Sequence, residues 1–290
     1  GRIDNTTQNL SSSINYGKSF PGTPLSLGVN FRHSQNLGTK KVDMPLPDMS
    51  FNVNNIYPFK NSQNSMLLQN LNVRYSMNGT NQITNDLGKI AVDENGFPKD
   101  SIAPFTFENL PVFFRNAKRG IRHNIPLSTS FKALRFLTLS PGFNFDDRWY
   151  FEKLDWNYTD STRTFKSRKI TEFNHVYNYS LGVGLTTRIY GTYVAKNKNK
   201  SIRAIRHVIN PSVSYSFQPD FSDPKFDYFQ RFKTTDGAGN VTDVLKSRHE
   251  GYVYGTVSPG KSSALSMGLN NNVEMKVRNA KDTVDRKISL

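Results

Sequence analysis

Four basic residues stand at alternate positions of strand-like runs, where a cation could meet an anionic ligand: Arg32, Arg74, Arg188 and Lys276. Guanidinium groups suit phosphate and carboxylate because their planar fork makes two parallel hydrogen bonds. The competing role for each is a cross-strand pair with Asp or Glu. The chain's formal net charge of +15 limits how many can be paired in that way. Other constellations lead nowhere catalytic. Of the five histidines, His33, His123, His207 and His249 each directly follow an arginine, and His175 stands apart. Neighbours on a strand point to opposite faces, so such a pair cannot converge on one ligand. No His-x-x-x-His spacing offers a metal two ligands on one helix face, so no metal site is expected. Asp146-Asp147 next to Arg148 reads as ion pairing at a barrel rim, not as acid catalysis. Gly182-x-Gly184 lies within a strand pattern with no helix after it, so it relieves crowding or permits curvature and does not cradle phosphate. With no Gly-x-Ser-x-Gly and no complete Ser-x-x-Lys set, neither catalysis nor a cofactor is expected.

The elements that carry these residues have a period of two. Leu25, Leu27, Val29 and Phe31 oppose Ser26, Gly28, Asn30 and Arg32. Leu67, Leu71, Val73, Tyr75 and Met77 oppose Asn70, Asn72, Arg74 and Ser76. The same theme returns over residues 177–189, 213–217 and 265–277, where Arg188 and Lys276 fall on the polar side. Several runs exceed ten residues. Globular strands average about 5–6 residues, whereas a tilted transmembrane strand needs about 9–11. The polar side is rich in Ser, Asn, Gly and Thr, which suits the wet interior of a large barrel better than the charged outer face of a sandwich. A midplane cation on the lipid side costs about 2–4 kcal/mol, so Arg74, Arg188 and Lys276 should point inward.

Composition agrees. Hydrophobic residues make up only 36% of the chain, which a barrel tolerates because only every second strand residue meets lipid. No stretch approaches the roughly 20 apolar residues of a helical span. The 21 Phe and 13 Tyr fit pleated surfaces and interfacial girdles. The absence of Cys excludes disulfides and thiolate metal sites within these residues and leaves the compartment open. Residues 21–24 and 258–261 read as tight turns, and residues 78–104, 155–169 and 218–248 as long polar connections, with strong turn signals at 93–96 and 236–240. Residues 109–119 could form a short helical piece. A weak echo links residues 121–126 to 205–211, too short to define a repeat. About eleven or twelve strands are expected. The fold class is therefore all-β: residues 1–290 form part of one antiparallel transmembrane β-barrel with long polar loops and no separate periplasmic domain. Gly1–Leu10 carries no signal peptide pattern, and the alternation stops unfinished at Leu290, so a segment of a longer chain is expected.

Three stretches together carry a family resemblance. Phe31-Arg32-His33-Ser34-Gln35-Asn36 leads to Leu46-Pro47-Asp48-Met49-Ser50-Phe51-Asn52-Val53 and to Ile56-Tyr57-Pro58-Phe59-Lys60. Arg148-Trp149-Tyr150-Phe151 follows the strand at 137–145. Arg206-His207-Val208-Ile209-Asn210-Pro211-Ser212-Val213-Ser214 runs on to Gln218-Pro219-Asp220-Phe221-Ser222. In order and spacing they resemble the LptD family of lipopolysaccharide-assembly outer-membrane proteins, in the form found in Bacteroidota. The resemblance spans most of residues 10–230. It implies a barrel in the outer membrane of a Gram-negative bacterium, receiving lipopolysaccharide from periplasmic Lpt bridge components. It also implies an LptE-like plug lipoprotein as partner and release through a lateral opening between the first and last strands. On that reading Arg32, Arg74, Arg188 and Lys276 are luminal contacts for the anionic cargo. The rival readings are a porin or solute transporter, and a soluble basic β-protein that binds nucleic acid. The latter would cluster cations with aromatics on one face, whereas here they mostly take opposite faces.

Overall fold

A computed structural model describes residues 9–61, 65–88, 91–92, 98–99, 101–196, 201–235, 239–278 and 285–289. The chain opens as a meander of β1 (Asn9–Ser19), β2 (Leu25–Asn36) and β3 (Val42–Ile56). A single helical turn, α1 (Met66–Gln69), precedes β4 (Asn72–Thr84). The connection that follows holds the two-residue strands β5 (Ala91–Val92) and β6 (Pro98–Lys99) and ends in α2 (Leu110–Asn116). Then come β7 (Lys118–Ser128), β8 (Phe131–Ala133), β9 (Leu137–Thr159), β10 (Thr164–Thr186), β11 (Ile189–Val194) and β12 (Ile202–Gln218). A long connection carries the hairpin of β13 (Phe229–Thr235) and β14 (Val241–Ser247), and the chain finishes with β15 (Ser262–Val277) and β16 (Arg286–Ser289).

Twelve of these strands form one antiparallel sheet in the order β1-β2-β3-β4-β7-β9-β10-β12-β15-β16, with β8 on β9 and β11 on β12. Among the described residues no pairing joins β1 to β16. No helix of the described residues is long and apolar enough to cross a membrane. The register is staggered. Ser26 stands one residue inside β2, yet its row runs through Asn52, Ser76 and Asn124 to Asp146, well inside β9. Stagger of this kind is the geometric condition for tilted strands in a barrel wall.

Some sequence expectations need correction. Residues 155–169 are not a polar loop: β9 and β10 continue through them as a 23-residue pair closed by the turn at 160–163. Residues 78–84 belong to β4, and 218–248 contain the hairpin β13–β14. Leu67 lies in α1 and Leu71 precedes β4, so neither extends the apolar side of that strand. Residues 258–261 end the long connection and do not join two adjacent strands. These misreadings share a cause: polar residues look like loop, but backbone pairing to a neighbour can hold them in a strand whichever side they face. The helical piece expected near 109–119 is α2. The turn signals at 93–96 and 236–238, and residues 197–200 of the basic run, lie outside the described residues.

The β9–β10 pair is far longer than a membrane span requires. Strand β7 meets β9 only as far as Trp149, and β12 meets β10 only from Leu181. Residues 150–159 thus project beyond their neighbour by about 30 Å at roughly 3.3 Å per residue. Two bare strand edges would leave backbone donors unpaired. The 219–261 connection covers both. Leu154 donates its N–H to the Arg248 carbonyl at 2.7 Å, Trp156 donates to Gln230 Oε1 at 2.7 Å, and on the other edge Tyr177 donates to the Tyr228 hydroxyl at 3.0 Å.

The same connection builds the main core, in which Tyr150 and Val176 of the sheet meet Phe221, Tyr228 and Val257. Tyr150 stacks on His249 with ring centroids 4.9 Å apart and donates its hydroxyl to the Gly255 carbonyl at 2.7 Å. Gly120 permits the close approach. A Cβ there would lie 2.9 Å from Val253 Cγ2, 3.1 Å from Tyr150 Cε1 and 3.2 Å from Tyr254 Cδ2. By contrast, a Cβ at Gly182 or Gly184 would meet only ordinary contacts near 3.8 Å, so crowding does not explain that pair.

Two outcomes follow from this docking. Replacing Gly120 by Leu should lift residues 252–254 off the sheet, read as faster protease cleavage within 219–261 while the barrel's resistance to SDS unfolding is kept. His249 is buried, which pushes its pKa down to about 4; Lys153 and Arg248 add to the effect and Asp227 opposes it. The undocked chain then binds a proton that the docked one refuses. Docking is therefore full above about pH 6.5 and weakens as pH falls toward 4. Hydrogen exchange of the connection should rise over that window, and His249→Phe, which keeps the ring but not the titration, should remove the dependence.

Candidate functional site: a polar sheet face carrying unpaired cations

The register sorts side chains into two unlike faces. On one, the row Ser26, Asn52, Ser76, Asn124, Asp146 and Asn178 crosses six strands. The adjacent row runs Gly28, Ser50, Asn78, Arg122, Arg148 and Val176, and the next Asn30, Asp48, Thr80 and Gly120. On the other face the row Leu27, Phe51, Met77, His123, Asp147 and Tyr177 runs beside Val29, Met49, Gly79, Ile121, Trp149 and His175. Aromatic contacts link Phe51 to Tyr75, Tyr75 to His123, His123 to Trp149 and Trp149 to Phe173 across this second face. Toward the far edge it leaves Leu265, Met267 and Leu269 each more than 60% exposed. So large an apolar surface marks contact with lipid or with another protein.

All four cations singled out in the sequence stand on the polar face. Their surroundings differ. Arg32 is ion-paired with Asp48, which also accepts from the Thr80 hydroxyl, so its charge is compensated. Arg188 donates from Nε to the neutral Asn210 Oδ1 at 3.1 Å. Arg74 and Lys276 are exposed and have no carboxylate partner among the described residues. Three of the four therefore keep an uncompensated charge. They do not converge, being spread over β4, the β10–β11 junction and β15.

Two further cations belong to this face and were not assigned to it from the sequence. Arg122 Nε lies 2.6 Å from Asp146 Oδ2 and Arg148 Nε 3.0 Å from its Oδ1, with the Asp146 side chain only 3% exposed. A buried carboxylate between two guanidiniums offsets its desolvation by charge and leaves the group of three net positive. The expected ion pair beside Arg148 is thus made by Asp146 alone. Asp147 turns to the opposite face, where it accepts from the Trp149 indole at 2.8 Å and lies 3.8 Å from His175. The alternation Ile121, His123, Ile125 was the available signal, since it puts Arg122 on the polar side.

The histidines do structural work. His123 Nδ1 and the Tyr75 hydroxyl share a hydrogen bond of 2.8 Å, and His207 Nε2 bonds Asn271 Oδ1 at 3.2 Å, both on the face opposite their arginines. Arg248 and His249 instead lie in the connection after β14. No group of three metal-ligating side chains occurs among the described residues.

An all-β sheet of long staggered strands, apolar on one face and polar on the other, is the wall of a membrane barrel. A comparison with family models matches residues 2–290 to LptD protein. No curated protein and no solved structure matches the chain. Nearly the whole length falls within the family match, and with it come the outer-membrane location, lipopolysaccharide transport and the wider Lpt system as its setting: this chain belongs to the LptD family.

Proposed function

We propose that the polar face lines the interior of the barrel, guides lipopolysaccharide by its uncompensated cations, and passes it to a lateral exit into the outer leaflet. The observation that supports this most is the separation of charge from apolar surface: Arg74, Arg188 and Lys276 share a face with Ser and Asn ladders, while Leu265, Met267 and Leu269 occupy the other. Phosphates on a glycolipid are drawn to such groups, and exposed Arg and Lys side chains hold them without a buried-charge cost. Because the cations are spread along the wall, they act as successive weak contacts and not as one tight site, which suits passage. In this reading an LptE-like lipoprotein fills much of the interior, and periplasmic Lpt bridge components deliver cargo at the end of the short turns. The long connections 85–117 and 219–261, which share the opposite end, face the cell surface. The chain is then the barrel segment of an LptD of the Bacteroidota form, with residues 1–290 in one barrel domain. It acts without catalysis and binds no nucleic acid.

Photo-crosslinkers placed at Arg74, Arg188 and Lys276 in cells should capture lipopolysaccharide, and one at Met267, on the apolar face, should not. Charge reversal of all three cations to Glu should lower surface lipopolysaccharide several-fold, while Arg32→Gln, which removes an already compensated charge, should have little effect on it. Capture at Met267 alone, or ion conductance by a barrel that retains neither an LptE-like lipoprotein nor lipopolysaccharide, would refute the assignment and favour a porin.

A further inference from the structure

The connection between β4 and β7 ends by folding back along the apolar face of the sheet. Alternation assigns the side. Ile83 of β4 and Arg119 of β7 share the face of Met77, His123 and Trp149, opposite Gln82 and Lys118. Met44 is registered with Ile83 and joins them. Helix α2 packs on this patch. Phe113 is fully buried in one cluster with Ile83 and Ala117, and Met44, Leu46 and Leu110 close around them. Phe105 stacks on Phe113 with ring centroids 5.6 Å apart, which ties the residues before the helix to the same site.

What this segment turns outward is apolar. Phe107 is 92% exposed, Phe114 49% and Phe105 44%. Single exposed apolar residues are ordinary, but a group of bare aromatic rings marks a contact surface. Its position on the wall indicates the contact. The row Met49, Gly79 and Ile121 belongs to the apolar band, and the next registered pair on that face beyond Gly79 and Ile121 is Asn81 with Arg119. Both polar side chains of this pair are turned onto backbone carbonyls, Asn81 to Leu46 at 2.8 Å and Arg119 to Phe114 at 2.6 Å. The apolar band therefore runs on into the helix, at the end of the wall where membrane barrels carry aromatic girdles.

We propose that residues 105–115 form an interfacial anchor, with Phe105, Phe107 and Phe114 inserted among the acyl chains of the outer leaflet beside β3, β4 and β7. The occupant is lipid because the patch continues a face that an outer-membrane barrel turns to the bilayer. Charge fits the same depth. Arg115, exposed in the last turn of α2, can extend its guanidinium to headgroup phosphates while its stem stays against the rings. Glu108, the exposed acid beside Phe107, has to remain in water and so keeps insertion shallow, about 5–10 Å into the boundary of headgroups and chains. The anchor rests on the reading above that the polar face is the barrel interior and the long connections lie at the cell surface.

The test places a nitroxide at Phe107→Cys in the full-length protein, in nanodiscs of phosphatidylethanolamine and phosphatidylglycerol; residues 1–290 contain no native cysteine. Collisions with oxygen, which concentrates among acyl chains, are compared with those of a nickel chelate that stays in water. The label at 107 should favour oxygen, less strongly than one at Met267→Cys on the apolar face. One at Ser161→Cys, in the turn that closes the projecting β9–β10 pair, should favour nickel. Phe107→Ser/Phe114→Ser, which spares the buried cluster, should raise hydrogen exchange of residues 101–117 several-fold and leave β4 and β7 unchanged. Nickel preference at 107 with oxygen preference at 267, or exchange unchanged by the double substitution, would overturn the anchor alone. Low access of both reagents at 107 would put protein on the patch and overturn it as well. Nickel preference at 267 too would remove the reading of the polar face as the interior.

Discussion

A strand that crosses hydrocarbon can bond its backbone only to its neighbours, because no water is there to accept or donate. Everything else in this molecule follows from that sideways pairing. It forces long registers such as the one between β12 and β15, unbroken over fifteen residue pairs from Ala204 to Gln218. Once those registers are fixed, the period of two fixes which side chains share a face, and a one-residue slip would exchange Leu of the apolar face for Ser along a whole strand. The rows of Ser and Asn on one face, and of Leu, Met and aromatics on the other, are therefore consequences of pairing as much as of composition.

Where the pairing stops, the chain changes strategy. Beyond Trp149 and Leu181 the β9–β10 pair loses both neighbours, and its edge groups are met instead by the 219–261 connection. That connection brings its own aromatic core against Tyr150 and Val176, so a segment without long strands is packed onto the wall beneath it. Arg248 shows the economy of the arrangement: its carbonyl accepts from Leu154, while its guanidinium meets Asp227 at 2.9 Å.

Much of this was legible in the residues. The alternation from Leu25 to Arg32 and from Leu265 to Lys276 gave the strands and their faces, and the cations fell where it put them. The extent of β9 and β10 was hidden because residues 155–169 are mostly polar, with only Trp156, Tyr158 and Phe165 to mark one side; they are strand because two strands pair there, which is a tertiary fact. β3 was hidden too, because Pro45 and Pro47 lack the donor a ladder needs, and the register shifts between Pro45 and Asp48 to accommodate them. Asp48 as the partner of Arg32 depends on that shift, and no local pattern announces it. The role of Gly120 depends on Val253 and Tyr254, more than 130 residues away in the chain, and was equally invisible.

One contact also orders events in time. The Tyr254 hydroxyl donates to the Asn78 carbonyl across a sequence separation of 176 residues. Contacts so distant in the chain carry a loop-closure cost that nearer pairings do not, and they form late. The docking surface is made jointly by β4, β7 and β9, so it does not exist until those strands have registered. The cover can therefore dock only on strands that have already registered, which makes its attachment conditional on the wall beneath it.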